Sequence, residues 1–384
     1  MPIPARAGQL LACSIAAGLA LTACASTKKD EPTKAGSTSV LVKLTNDGCK
    51  ADPSTIPAGG VTFKISNEGG SAVSEAELVN GSKILGEKEG LTPGLSGSFS
   101  LNLVAGDYEM YCPHAKTERS PFTVTAASIP SSTASAGEAS ASLKAATTGY
   151  HAYVLEQSKT LVKLTGEFVK AVKAGDIKTA KSLYADSRAP YEAVEPVAES
   201  FGDLDPDIDA RENDVPKADW RGFHRIEKAL WISNSTSGMA TVADRLLADV
   251  KTLVNKIERT SFQPAQLANG ATELLNEVSK SKLTGEEERY SHTDLTDIDA
   301  NVTGSKTAFE LLQPALRLID APLATAIADQ FKATEILLRR YELTGGGYLP
   351  YGKLTSAQVK ELTIAVDALA EPLSKVSEKI VAVK

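Results

Sequence analysis

Basic charge is in short supply in this 384-residue chain: 41 Lys and Arg stand against 48 Asp and Glu, for a net charge of −7. Phosphate recognition needs a basic face, so nucleic acid is excluded as the main partner. Long apolar runs are missing too. "LLACSIAAGLALTA", residues 10–23, falls short of the roughly 20 residues that a comfortable membrane span requires. Histidine and cysteine number four each. From residue 144 onward no strand pattern appears, which excludes a mixed sheet there, and no strict internal repeat is found.

The ends of the apolar run carry information. Arg6 precedes it, and it closes on "LTAC", residues 21–24, which is similar to a bacterial lipobox. Residues 1–23 are therefore expected to be a lipoprotein signal peptide, with Cys24 the lipidated residue. The polar stretch 24–36, "CASTKKDEPTKAG", has the composition of a tether. This predicts an extracytoplasmic protein anchored by lipid to the cell membrane, on its periplasmic side or the cell surface. Cys13 lies in the signal, leaving Cys49 and Cys112 for the folded protein.

Three zones follow. Residues 37–126 alternate apolar and polar residues in "SVLVKLT", "VTFKIS", "SGSFSLNL" and "PFTVTA", separated by turn signals such as "PAGG", "VNGS" and "AGD". The pattern predicts an all-β sandwich. Residues 127–143 are rich in Ser and Ala and read as a linker. Residues 144–384 change to helical periodicity, predicting an all-α domain of packed bundles.

In the helical zone "GFHRIEKALW", residues 222–231, places His224 and Glu227 on one side of an amphipathic helix. Imidazole and carboxylate both ligate cations such as iron, zinc and copper. An ordinary His–Glu ion pair uses the same spacing. "YEAVEP" repeats the three-residue step with Glu192 and Glu195. The acid-dense "FGDLDPDIDAREND" surrounds Asp209, and "GEEERYSHTDL" adds Glu287, His292 and Asp294. Helical bundles build metal sites from such carboxylates and i,i+3 Glu/His pairs on facing helices.

The run from "FVKAVKAGDIKTAKSLYADSRAPYEAVEPVAESFGDLDPDIDARE" through "GFHRIEKALW", "ADRLLADV" and "GEEERYSHTDL" resembles the imelysin, or M75 peptidase-like, domain. Everything after the tether resembles the EfeO-type family, extracytoplasmic components of bacterial iron-uptake systems with a cupredoxin-like domain ahead of an imelysin domain. The resemblance implies an iron site (ferrous or ferric) at His224, Glu227, Glu195 and Asp209, with Glu192 and Glu287 as additional candidates. It also implies an iron permease and a haem peroxidase as partners. Asn213 replaces the first of two aspartates common in relatives, and Thr296 replaces a tryptophan.

In the β zone "YEMYCPHAK" gathers Met110, Cys112 and His114, ligand types of a copper centre. A blue-copper site needs two histidines, and His114 is the only one in that zone. Two readings stay open. Cys49 and Cys112 form a disulfide, or with His114 and an acid such as Glu75 or Glu77 they hold copper or iron. The expected function is iron capture by a binding protein rather than an enzyme, with hand-over to a membrane permease. The alternatives are a metallopeptidase-like protein and a lipoprotein binding a polysaccharide or another divalent metal. A zinc peptidase helix carries His-Glu-x-x-His, whereas Arg225 and Lys228 occupy the base and second-histidine positions here.

Overall fold

Val40, Val42 and Leu44 alternate with exposed neighbours along Thr38–Thr45 and are all buried, so this stretch is a strand with one face in a core. The computed structural model describes residues 37–126 and 134–383. The signal sequence, Cys24 and the tether lie outside the described residues. Nine strands follow in order: β1 Thr38–Thr45, β2 Gly48–Asp52, β3 Thr55–Pro57, β4 Gly59–Asn67, β5 Ala76–Asn80, β6 Lys83–Lys88, β7 Ser96–Leu103, β8 Gly106–Tyr111 and β9 Arg119–Thr125. They form two sheets, β2-β1-β4-β7 and β3-β9-β8-β5-β6. The β1–β4 and β3–β9 pairs are parallel and the others antiparallel. Phe63 stacks on Phe99 at 4.9 Å and meets Phe122 edge-on at 5.3 Å, filling the space between the sheets. Cys49 on β2 and Cys112, just past β8, are joined by a disulfide. Of the two readings for these cysteines, the structure contains the cross-link, which leaves no thiolate there for a metal. His114 is exposed, in a left-handed turn at φ 67°.

The helical part begins with α1, Ala134–Ala174. Its first residues belong to the stretch 127–143 read as a linker. The correction has a local cause: alanine is the strongest helix former, and Ala139, Leu143, Ala146 and Tyr150 bury a continuous face. Ten helices follow: α2 Ile177–Glu192, α3 Glu195–Glu199, α4 Asp205–Asp209, α5 Phe223–Trp231, α6 Ala240–Ile257, α7 Pro264–Lys280, α8 Asp294–Ile319, α9 Ala321–Leu338, α10 Ser356–Leu373 and α11 Val376–Val381. α1 packs along α2, α6 and α8, and α7 lies between α8 and α10. The sandwich sits directly on this bundle. Lys88 on β6 pairs with Glu273 on α7 at 2.8 Å, Asn269 donates to the Ser100 carbonyl at 2.9 Å, and Gln266 donates to the Leu85 carbonyl at 3.1 Å.

Two glycines set the approach of the elements that carry the acidic and histidine residues. Gly222, at φ 87°, precedes α5, and a Cβ there would strike the Ile208 carbonyl of α4. Only glycine lets the two backbones come this close. Gly304 does the same for α8 against the Ala193 carbonyl at the end of α2.

Candidate metal centre

The amphipathic α5 turns Phe223, Ile226 and Leu230 into the core, and with them His224 and Glu227, which are fully or almost fully buried. The His224 ring is held between two sides. Nδ1 lies 3.3 Å from Glu227 Oε2 and 3.9 Å from Glu288 Oε1. Nε2 faces Asp209 Oδ1 and Glu287 Oε1, each at 3.6 Å. That is beyond hydrogen-bond length, and Nε2 is a buried nitrogen with no hydrogen-bond partner among the described residues. Two ligand atoms about 2.1 Å from one ion are separated by about 3–3.6 Å, so the same spacing suits shared coordination. The donor set, one imidazole nitrogen and two carboxylates, fits a first-row cation such as iron.

Glu227 has a second task. Its Oε1 accepts the backbone N–H groups of Tyr290 at 2.9 Å and Ser291 at 2.7 Å, which pins the segment carrying Glu287 and Glu288 against α5. It therefore stands on the Nδ1 side of the ring, away from Asp209 and Glu287, and fixes the ring's orientation as outer partners of metal-ligating histidines do.

Glu192 and Glu195 lie behind Asp209. The three carboxylates are close enough to hold one ion together, but neither glutamate shares such a group with His224. Instead, Lys282, fully buried, contacts Glu192 Oε2 at 2.5 Å and Glu195 Oε2 at 2.7 Å. Arg188, also fully buried, bonds Glu192 and Asp209 and reaches Glu288 at 2.7 Å and Glu287 and Asp297 at 3.5 Å. So of the six carboxylate and imidazole candidates named from sequence, the structure clusters His224, Asp209 and Glu287 on one nitrogen, and puts Glu227 on the other. Glu192 and Glu195 form an adjoining, lysine-capped group. His292 stands in a left-handed turn at φ 60°, and Asp294 accepts the Glu288 N–H at 3.2 Å. Neither is in a group that could hold a metal among the described residues.

Arg188, Lys282, Glu288 and Asp297 were not singled out in the sequence. Arg188 had one local signal, its i,i+4 relation to Glu192 on α2. Lys282 follows α7 with no pattern that marks it.

The charges sort themselves by side. Burial pushes the Asp209 carboxyl up, but Arg188 and then His224 outweigh it, and the group ends below the usual range. Burial opposes ionisation of Glu287 as well, yet Lys282 and His224 hold it well below. Glu227 is lowered against burial by His224 and the two backbone donors. His224 is itself raised well above its ordinary value: burial and Arg188 push it down, and Asp209 and Glu227 more than compensate. On the far side burial, then neighbouring carboxylates, raise Glu195, and burial carries Glu288 to about 8. The groups facing His224 Nε2 are thus kept as carboxylates, while the raised imidazole carries a proton that a bound cation would have to displace.

An open cleft of about 250 Å³ reaches this centre, with Asp209, Glu287 and Glu195 in its lining.

Comparison with known proteins agrees with the two-part architecture. The family model described as imelysin (peptidase M75) matches residues 146–376, and that of the cupredoxin-like domain matches residues 14–124. The chain is 40% identical over 342 residues to the "Iron uptake system component EfeO" of Escherichia coli O157:H7, covering 88% of this chain and 90% of that protein. The Shigella flexneri protein of the same name is similar to the same extent. Among solved structures, a protein described as an iron-regulated protein A precursor from Parabacteroides distasonis shares the fold, at a TM-score of 0.50 and 17% identity over 62% of this chain and 95% of that one.

Proposed function

The chain belongs to the imelysin family, with a cupredoxin-like domain preceding the imelysin domain, and from that premise we propose that it is the extracytoplasmic iron-binding component of a bacterial iron-uptake system. The observation that carries the reading is His224 Nε2, buried, without a hydrogen-bond partner among the described residues, and set between two carboxylates at 3.6 Å. Iron is the cargo. His224, Asp209 and Glu287 would hold it, and Glu227 would orient the imidazole through Nδ1. Hard oxygen ligands suit ferric iron, and the added nitrogen accommodates ferrous iron. Calcium would favour an all-oxygen shell, so His224 works against it.

Binding rather than hydrolysis is supported by what occupies the peptidase positions on α5. Arg225 donates to the Trp220 carbonyl at 2.6 Å, and Lys228 is paired with Glu212. Both are structural cations where a zinc peptidase would carry its base and second histidine. Delivery would run to an iron permease, with a haem peroxidase as a further member of the system, and the Cys24 lipid would keep the protein at the membrane.

The test is an anaerobic titration with ferrous iron, then with ferric citrate, of wild type, His224→Ala and Asp209→Asn/Glu287→Gln, with helicity checked by circular dichroism. Stoichiometric binding by wild type and its loss in both variants is expected. Equal binding by all three would reduce His224 and its acids to a structural cluster.

A further inference from the structure

Two clefts lie along the seam between sandwich and bundle. The inner one has Asp209, Glu287, Glu195 and Glu277 in its lining. The outer one, about 360 Å³, has Glu75, Glu87, Tyr111 and Arg119 of the sandwich in its lining. Glu89 from the β side and Glu199, Asp205 and Pro206 from the helical side belong to both linings, so the clefts meet along a common wall. Next to the lining residues Asp209 and Glu287 stands His224 Nε2, 3.6 Å from each, 2% exposed as a residue and without a hydrogen-bond partner among the described residues.

We propose that this seam is the route by which a cation enters and leaves the buried centre, and that Glu89 and Glu199, one from each domain, are the carboxylates that pass it inward. The inference rests on the metal-centre reading above and adds to it a path and two positioning residues. Three observations support it. The inner lining includes both carboxylates that face His224 Nε2, so the cleft ends on proposed ligands. Arg119 of the outer lining is paired with Glu109 at 2.9 Å, and Arg211 of the inner lining holds Glu287 through Oε2 at 3.1 Å, which leaves Oε1 toward His224. Burial and then neighbouring carboxylates raise Glu89, to about 8, and Glu199, as expected of acids that lack a compensating cation. An arriving cation is the compensating charge these acids lack, and it would displace their protons as it passes. A relay carboxylate lowers the barrier between solvent and site without being part of the site. Its loss therefore slows entry and exit alike.

The experiment is stopped-flow loading of the full chain with ferrous iron, anaerobically and at low ionic strength. Tryptophan emission is the signal, since Trp220 Nε1 donates to the Ala210 carbonyl beside Asp209 at 2.8 Å. Release is followed with an excess of a ferrous chelator. Glu89→Gln and Glu199→Gln are compared with Glu361→Gln, an exposed acid paired with Arg340. Both seam variants are expected to load and release about tenfold more slowly, with Kd within twofold of wild type. Glu361→Gln should match wild type. Wild-type rates in both seam variants overturn the route. So does faster release with weakened Kd, which would make the two residues ligands, and so does equal slowing in Glu361→Gln. His224→Ala separates the readings. If it loses binding while the seam variants keep wild-type rates, the route alone fails. If it binds as wild type, the centre and the route fail together.

Discussion

Replacing Arg188 by methionine removes the guanidinium that touches Asp209, Glu192, Glu288, Glu287 and Asp297 while keeping most of its volume. The side chain is wholly buried, as are Glu192, Glu288 and Asp297. Breaking a buried ion pair by deleting one partner costs about 3–5 kcal/mol, because the abandoned charge stays desolvated. Several carboxylates share this one cation, and some would take up protons, so about 4 kcal/mol at pH 7.5 is expected. For a domain of this size that is a loss of roughly 8–16 °C in Tm. Thermal unfolding followed by circular dichroism in a chelator measures it. Two corollaries sharpen the test. The deficit should shrink at pH 5, where the stranded carboxyls protonate more readily. Ferrous iron at about 100 times Kd adds roughly 2.7 kcal/mol to wild type, and it should add at least as much to the variant, since it now meets more uncompensated charge. A loss below about 1 kcal/mol in metal-free protein at pH 7.5 would refute the reasoning, for Arg188 would then not be what holds these acids together.

Metal-free protein should be less stable at pH 8 than at pH 5.5. Asp205 and Glu277 are raised to about 7 and Glu89 to about 8, each first by burial, so across this window the folded chain holds protons that the unfolded chain has released. Stability then falls as pH rises. Because these groups are partly exposed, a decline of several degrees in Tm is expected rather than the full linkage value, and a flat or rising profile would contradict it. Below about pH 4 a separate loss is expected as Asp209, Glu227 and Glu287, whose folded values are depressed, become protonated. Cys49→Ser/Cys112→Ser opens a link between residues 63 apart and should cost about 4 kcal/mol, read as an earlier unfolding step in the β-sheet signal. Iron stoichiometry at the helical centre should be unchanged in that variant.

Much of the architecture was legible because periodicity is a local signal. Val40, Val42 and Leu44 alternate, Phe223, Ile226 and Leu230 recur at helical steps, and each pattern appears in the structure as the face it predicted. The linker boundary failed where composition was ambiguous: a Ser/Ala stretch is poor in large apolar residues, yet its alanines favour helix once Leu143 and Tyr150 anchor it. At the centre, residue types with ligand chemistry stood out, but their grouping did not. Whether Glu195 or Glu287 faces the imidazole depends on how α3 and the segment before α8 approach α5. The segment before α8 is set against α5 by the backbone donors on Glu227, and Asp209 on α4 is brought in by Gly222, neither of which a spacing rule reports. The buried cations were hardest to see, since a single Arg or Lys on a helix normally reads as solvated surface.

Those cations explain how an acidic site can be preformed in a folded core. Glu192, Glu195, Asp209, Glu227, Glu287, Glu288 and Asp297 are seven buried carboxyls, and Arg188 and Lys282 are the fully buried cations set among them, with the half-buried Arg211 on Glu287. Left alone, such acids would protonate or be drawn to solvent. Arg188 ties Asp209 to α2, and Lys282 ties Glu192 and Glu195 to the end of α7, so the carboxylates are oriented before any ion arrives. Arg188 contacts the Asp209 oxygen that also faces His224 Nε2, Lys282 sits between Glu192 and Glu195, and two buried cations among seven acids leave an acidic excess that reaches the cleft at Asp209 and Glu287. A monovalent ion would cancel little of that excess and would gain nothing from the imidazole. A transition-metal ion of charge two or three would cancel more of it and use the nitrogen as well. If the centre binds iron as proposed, the fixed cations would hold its geometry while supplying too little charge to satisfy it, and so would favour such an ion.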